Sequence, residues 1–166
     1  MNEFFPDPHA LEANGRTIFE RVSELRFPVG EYVVVGGTME AHGIRAARDM
    51  DVVVTPGLMD ALSDDGWPIR VPKTPPTPRD RGKRKLGTDH IQVYLDLSYD
   101  GTVFATGGEL LARAQLIEGI PFSPLDLLQA WKRARGREKD LQDAILIQNY
   151  FDARDSRMRI SDFAMS

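Results

Sequence analysis

The chain has no cysteine among its 166 residues. Disulfides and thiolate metal sites are therefore excluded, and the absence fits the reducing cytosol. No apolar run approaches the ~20 residues that a membrane-spanning helix needs, and the acidic, proline-containing first ten residues are not typical of a signal peptide. From these features we expect a cytoplasmic protein without a membrane partner.

A large excess of charge of one sign is also lacking. The formal net charge is -4, from 21 basic and 25 acidic side chains, so the total charge does not indicate binding to nucleic acid or to a membrane surface. A chain of this length can bury a core without disulfides or structural metals. We therefore expect a single domain over residues 1–166.

The most informative stretch is residues 32–55, YVVVGGTMEAHGIRAARDMDVVVT. Its two valine-rich ends predict strands at 31–35 and 49–55, with a helix at about 38–43 between them. Asp49 and Asp51 are two positions apart, so on a strand their side chains point to the same face. Because like charges repel at this distance, the pair indicates a bound cation, and carboxylate oxygens suit Mg²⁺.

A glycine pair, Gly36-Gly37, joins the first strand to the helix. Taken alone it is equally typical of an ordinary strand-to-helix turn. Together with Asp49 and Asp51 it favours a phosphate and metal site, since backbone N–H groups at a helix start bind anions. Thr38 has two interpretations, a hydroxyl donor to phosphate or a helix N-cap.

Residues 90–97, HIQVYLDL, alternate in a way that predicts a strand whose polar face carries Gln92, Tyr94 and Asp96. An acid in an apolar strand needs a partner, so Asp96 is a candidate third carboxylate. Asp89 replaces it if the register differs, and a surface position for Asp96 stays open. Residues 68–85 are predicted to form a proline-rich basic loop, which is either a solvated excursion or a flap that contacts nucleotide phosphates or an RNA backbone.

Helices are predicted at 8–26, 56–65, 109–114, from 124 onward and at 137–152, and we expect a frayed tail at 153–166. Residues 115–122 are predicted to form either a short strand pair or an edge strand with a kink at Gly119. On the last helix, the predicted inward side chains are those of Leu141, Ile145 and either Ile147 or Tyr150.

Residues 132–143, KRARGREKDLQD, hold five basic side chains within eight positions. Asp140 and Asp143 are three apart and so share a helix face. They can fix the basic side chains by ion pairs. The alternative is a solvated, charged helix corner.

These patterns are also a resemblance. The first pattern is a strand and a glycine pair, followed after eleven residues by Asp-hydrophobic-Asp-hydrophobic. It resembles the signature of the polymerase-β-type nucleotidyltransferase superfamily. The pattern Lys, four residues, Arg-x-Lys-Asp-x-x-Asp is similar to the C-terminal motif of small nucleotidyltransferase-like proteins related to the AbiEii-type toxins. The resemblance covers about residues 30–150.

The resemblance implies an α/β (α+β) nucleotidyltransferase-like fold: a short, mixed, twisted β-sheet flanked by helices, with C-terminal helices packed against it. It implies transfer of NMP from an NTP to an acceptor such as RNA, protein or a small molecule, with two Mg²⁺ ions as cofactors. Asp49, Asp51 and Asp96 would be the catalytic metal ligands, and Asp140 is a further candidate as a base. The implied nucleotide-binding residues are Gly36, Gly37, Thr38, Arg48, Lys132, Arg137 and Lys139.

Two other functions remain open. A catalytically silent module of the same fold would act through protein or RNA contact, for example in a toxin–antitoxin pair with an antitoxin-type partner. A phosphohydrolase would use the same acids.

Overall fold

The computed structural model describes residues 5–70, 85–99 and 102–165, with side chains described as far as Met158. The chain divides into two compact units, Met1–Pro124 and Leu125–Ser166, and each is considered by itself. The single domain expected over residues 1–166, and the packing of the C-terminal helices on the sheet, therefore stay predictions. Most of the predicted proline-rich basic loop, residues 71–84, lies outside the described residues.

The first unit is built on a mixed sheet of six strands in the order β3-β4-β2-β1-β8-β7. Within it, β1 pairs antiparallel with β2 and parallel with β8, while β2 pairs parallel with β4. A separate antiparallel pair is formed by β5 and β6. The strands are β1 Tyr32–Gly36, β2 Met50–Val54, β3 Leu86–Gly87, β4 Ile91–Tyr94, β5 Leu97–Tyr99, β6 Thr102–Ala105, β7 Gln115–Ile117 and β8 Ile120–Phe122.

Helices flank this sheet, as expected for a mixed α/β fold. Thr55 caps the third helix by accepting the Leu58 N–H at 3.3 Å, and Pro56 stands at its first turn, where no N–H partner is needed. Thr106 and Glu109 form a reciprocal capping box on the fourth. The helices of this unit are α1 Ile18–Leu25, α2 Thr38–Ala41, α3 Pro56–Asp64 and α4 Gly107–Arg113.

The predicted helix over residues 8–26 is wrong in its first half. Asp7 and Pro8 start only a short 3-10 turn, Pro8–Ala10, and α1 begins at Ile18 after its cap Thr17. Asn14 and Gly15 both have positive φ, at 42° and 82°. A right-handed helix cannot continue through two such residues.

The predicted strand over residues 90–97 is also shorter than expected. β4 ends at Tyr94, residues 95–96 form a bend, and the chain then enters β5 in the second sheet. Ile91, Val93 and Leu97 are buried as predicted, at no more than 1% exposure. An alternating pattern cannot reveal a change of sheet when the apolar residues on both sides of the bend are buried.

The second unit is a pair of helices, α5 Leu125–Arg135 and α6 Glu138–Met165. Gly136 separates them with a φ of 67°, as the sequence indicated. The predicted end of α6 at residue 152 is wrong, since the helix continues to Met165 and no Gly or Pro occurs over residues 137–166 to stop it.

The predicted inward face of α6 is confirmed for Ile147 and wrong for Leu141 and Ile145. Leu141 and Ile145 are exposed at 46% and 61%, whereas Ala144 and Ile147 are buried. Asp140 and Asp143 share the buried side, because cations of α5 and of the corner bind them. Described helices of both units include none that is long and apolar enough to cross a membrane.

Gly87, at the end of β3, has a φ of 126°, and a Cβ there would lie 2.0 Å from the Ile91 carbonyl oxygen. We expect Gly87→Ala to destabilise the protein by more than the ~1–2 kcal/mol of a positive φ alone. Gly66→Ala is the matched control, because Gly66 also has positive φ but its Cβ would meet nothing within 4 Å. Equal losses of thermal stability in the two variants would contradict this prediction. They would show that the turn between β3 and β4 shifts to accommodate the added methyl group.

Candidate functional site

The glycine at the end of β1 and the second carboxylate of the Asp-x-Asp pair are in direct contact. The antiparallel register aligns Gly36 with Asp51. A Cβ on Gly36 would lie 2.2 Å from Asp51 Oδ2, so any side chain there would collide with the carboxylate. The glycine and the carboxylate, fifteen positions apart along the chain, thus form one local structure.

The other oxygen of Asp51 is bound from the neighbouring strand. Tyr94 donates its hydroxyl to Asp51 Oδ1 at 2.9 Å, and the side-chain amide of Gln92 contacts the same hydroxyl. Lys85 lies over the Tyr94 ring, 5.1 Å from its centroid. The Gln92 atom in contact is the amide oxygen Oε1, and because a phenol has one proton, the hydroxyl can donate to only one of the two oxygens at a time.

Asp49 lies at the entrance to β2 and is exposed, as is Arg48 before it. Asp51 is half-buried. The two carboxylates therefore differ in surroundings: Asp51 is bound by Tyr94, while Asp49 is open to solvent. The end of the sheet where β2 begins is called the β2 edge site below. It comprises Gly36, Arg48, Asp49, Asp51, Gln92 and Tyr94.

The structure does not bring Asp96 to this site. β2 and β4 are parallel, with Asp51 level with Gln92. Asp96 is four residues further along and would be about 13 Å beyond that level even on a continuous strand. It instead accepts the Gly107 N–H at 2.8 Å, at the start of α4. The prediction of Asp96 as third carboxylate is therefore wrong, because the strand register places Gln92 beside Asp51.

The fallback, Asp89, is at the correct end of β4 but is directed elsewhere. Its side chain is 85% exposed and forms an ion pair with Arg70 at 2.8 Å. It is not part of the β2 edge site.

Thr38 is not available to a phosphate. Its side chain is completely buried, with the hydroxyl 3.3 Å from the Val34 carbonyl oxygen and 3.1 Å from Ser123 Oγ. Nor is it the helix cap, since Gly37 occupies that position of α2. Both interpretations of Thr38 are wrong: the hydroxyl joins β1 to the chain that follows β8. Gly37 itself leaves no room for a side chain, because a Cβ would lie 2.6 Å from Ile18 Cδ1.

The acids present fit a divalent cation only in part. Across residues 5–70, 85–99 and 102–165, no group of three or more His, Asp or Glu side chains is arranged to hold a metal ion. Mg²⁺ is commonly bound by one or two carboxylates together with substrate phosphates. Two carboxylates would suffice only for an ion that arrives with a nucleotide, and both of the expected Mg²⁺ ions stay predictions.

In the second unit, the basic motif is held by internal ion pairs. Lys132 Nζ bonds to Asp143 Oδ2 at 2.8 Å, and both side chains are about nine-tenths buried. Burial lowers the pKa of Lys132, although the hydrogen bond and charge of Asp143 act in the opposite direction. One interpretation of the sequence, that the acids fix the basic side chains, is confirmed for this pair.

Asp140 is bound in the same way at the helix corner. Arg135 and Arg137 donate to its two oxygens at 2.8 Å and 2.6 Å, and its side chain is 1% exposed. Arg135 also stacks on Trp131, 3.7 Å from the ring centroid. Burial alone would raise the pKa of Asp140, but the Arg137 hydrogen bond and the nearby cations hold it below the usual value. An arginine-bound carboxylate is a poor base, which argues against Asp140 as a proton acceptor.

Lys139 is exposed and Arg137 is half-exposed. Their predicted role as nucleotide ligands, and that of Lys132, stays a prediction. Lys132 is the weakest of the three candidates, since its ammonium is already bound to Asp143.

Sequence reasoning did not assign Gln92 and Tyr94 to the site. The signal was present, because the alternation placed both on the same strand face as a predicted carboxylate. Their relation to Asp51 depends on the parallel register of β2 and β4, which no local pattern encodes.

Comparison with known proteins adds no assignment. The chain matches no protein-family model, and it has no significant match among curated proteins.

The contact between Gly36 and Asp51 can be tested by a double-mutant cycle. Gly36→Ala should destabilise the protein, because the new methyl group must displace the Asp51 carboxylate. Asp51→Gly removes all three colliding atoms, so the double variant should be more stable than the sum of the single effects by at least about 1 kcal/mol. Denaturation in urea measures the three free energies, and strict additivity would contradict the close approach.

The ion pairs of Asp140 predict an acid dependence. Its folded-state pKa is lowered from 3.8. The stabilising contribution is therefore complete above that unfolded-state value and is lost as pH falls from there through the folded pKa. The stability difference between wild type and Asp140→Asn should shrink over this acidic range. In a Trp67→Phe background, Trp131 fluorescence reports on this helix pair, and Asp155→Asn, on an exposed part of α6, is the control. A difference that stays constant with pH would contradict the prediction.

Proposed function

We propose that the protein is a nucleotidyltransferase that moves NMP from an NTP to an acceptor hydroxyl or phosphate and releases pyrophosphate, with Mg²⁺ bound at the β2 edge site. The observation that carries the proposal is the contact between Gly36 and Asp51, beside the exposed Asp49. A strand that ends in glycine lets a carboxylate lie directly against its backbone, so a cation held by that carboxylate would be close to the turn where a phosphate would bind.

Each residue of the site has a distinct role in this proposal. Asp49 and Asp51 hold the cation through carboxylate oxygens, and Tyr94 keeps Asp51 in one orientation through its hydrogen bond. Arg48 is exposed next to them and supplies positive charge for the phosphates. Mg²⁺ when bound would neutralise phosphate charge and help align the attacking and leaving oxygens. One of the two acids takes the proton of the acceptor.

The second candidate is a catalytically silent module of the same fold, acting by protein or RNA contact as in a toxin–antitoxin pair. Gln92 is the observation that favours it. It is level with Asp51 on the adjacent strand, where a further acid would complete a three-carboxylate site, and an amide adds no negative charge to a metal site. An NTP bound without transfer is the outcome expected of such a module.

Incubation with α-³²P-labelled NTPs, Mg²⁺ and cellular RNA or protein tests the proposal. Label should be transferred to an acceptor, and Asp49→Asn or Asp51→Asn should lower the rate by roughly a hundredfold, the scale for losing one group that stabilises transition-state charge. Asp96→Asn is the matched control, since its amide oxygen can still accept the Gly107 N–H and it lies away from the site.

The outcomes separate the candidates. Calorimetry that shows NTP binding, together with no label on any acceptor, supports the silent module. Release of free phosphate from a γ-labelled NTP indicates hydrolysis instead. Equal losses in Asp96→Asn and Asp51→Asn would contradict the placement of the site at β2.

A further inference from the structure

Arg21 is a completely buried arginine on α1. Its guanidinium donates to three backbone carbonyls in two separate segments: Leu11 at 3.0 Å, Ala47 at 3.3 Å and Arg48 at 2.9 Å. It also reaches the His90 carbonyl at 3.5 Å. Several carbonyl oxygens thus replace water around a charge that would otherwise be costly to bury.

Glu40, on α2, binds the same part of the chain as Arg21. Its carboxylate accepts the N–H of Ile18, in the first turn of α1, and the N–H of Ala47 at 2.8 Å. Burial lowers the pKa of Arg21, while the charges of Glu40 and Asp49 act to raise it. The guanidinium is therefore attracted to acids on both sides of the segment that it binds.

These contacts fix both ends of one residue. The N–H of Ala47 is bound by Glu40 and its C=O by Arg21, and the next carbonyl, that of Arg48, is bound by Arg21 again. Asp49 follows immediately, outside any strand. The His90 carbonyl, which Arg21 also reaches, accepts the Met50 N–H at 2.9 Å. The chain is held on both sides of Asp49 although its side chain is exposed.

We propose that Arg21 and Glu40 are positioning residues that form a clamp on the backbone before β2 and so set the orientation of Asp49. The inference rests on the proposed function in assigning Asp49 to the nucleotide and its cation. The clamp itself is a property of the backbone. Neither side chain needs to touch a ligand, and Arg21 is too deeply buried to do so.

Arginine and glutamate are the residue types whose hydrogen-bonding groups suit the clamp. A guanidinium has five N–H donors in a planar fork and can serve several carbonyls at once, whereas a lysine ammonium has three donors at a single point. A carboxylate accepts with both oxygens, whereas a glutamine accepts with one and would set its NH₂ against a backbone N–H. Arg21→Lys and Glu40→Gln therefore keep size and weaken the clamp.

Both variants are compared with wild type in the full chain by three measurements. Steady-state NTP turnover with Mn²⁺ should show kcat lowered by about tenfold or more, the usual scale for groups that orient a metal ligand. Hydrogen exchange should show the Ala47 and Met50 amides exchanging at least about tenfold faster. The Mn²⁺ spin-resonance spectrum of the NTP complex should also change.

Thr17→Ala is the matched control. Thr17 caps the same helix by accepting the Glu20 N–H but has no hydrogen bond to the segment before β2. It should lower the melting temperature without changing kcat, the spin-resonance spectrum or the exchange of the two amides. If Arg21→Lys and Glu40→Gln resemble Thr17→Ala in all three measurements, the clamp is overturned.

The two proposals fail in different ways. Wild-type protein that neither binds nor turns over any NTP would overturn the proposed function, and the clamp is then judged by exchange alone. Unchanged protection of the Ala47 and Met50 amides in Arg21→Lys would overturn the clamp even if wild type is an active transferase.

Discussion

The antiparallel pairing of β1 with β2 is the constraint on which the candidate site depends. It sets Gly36 against Asp51 so closely that only a residue without a side chain can stand there. The buried valines of the two strands hold this register, since a slip by one residue would turn their side chains out of the core. The same register of β1 and β2 is therefore required both by the packing of the core and by the geometry of the site.

Buried charged side chains are bound by partners of three different kinds. Arg21 is surrounded by carbonyl oxygens, Lys132 is paired with Asp143, and Asp140 is shared by two arginines. Each arrangement offsets the cost of removing a charge from water and ties together segments that are separate in sequence. The result is that polar contacts, and not only apolar packing, determine where the ends of the elements lie.

Sequence reasoning succeeded where the signal is local. The valine runs predicted β1 and β2, the helix expected at 56–65 is α3, and the helix expected from residue 137 is α6, which starts at Glu138; the structure confirms all of these. It failed where burial depends on contacts with residues that are distant in the sequence. Arg21 lies on the apolar face of α1 with Ile18, Val22 and Leu25, and its position three residues after Ile18 was an available sign that it is buried. Leu141 and Ile145 were expected inward, but acids bound by α5 and the corner occupy that side of α6.

The sequence by itself determined the strand–glycine–helix–strand order, because valine-rich runs favour strands and a glycine pair favours a turn. The shared face predicted for Asp49 and Asp51 requires both residues on one strand, whereas β2 begins at Met50, after Asp49. Only the tertiary structure decided which groups surround Asp51. The parallel register of β2 and β4 brings Gln92 and Tyr94 beside it and leaves Asp96 to bind the start of α4. Register between strands depends on the packing of the whole core, so a pattern within one strand cannot specify its neighbour's level.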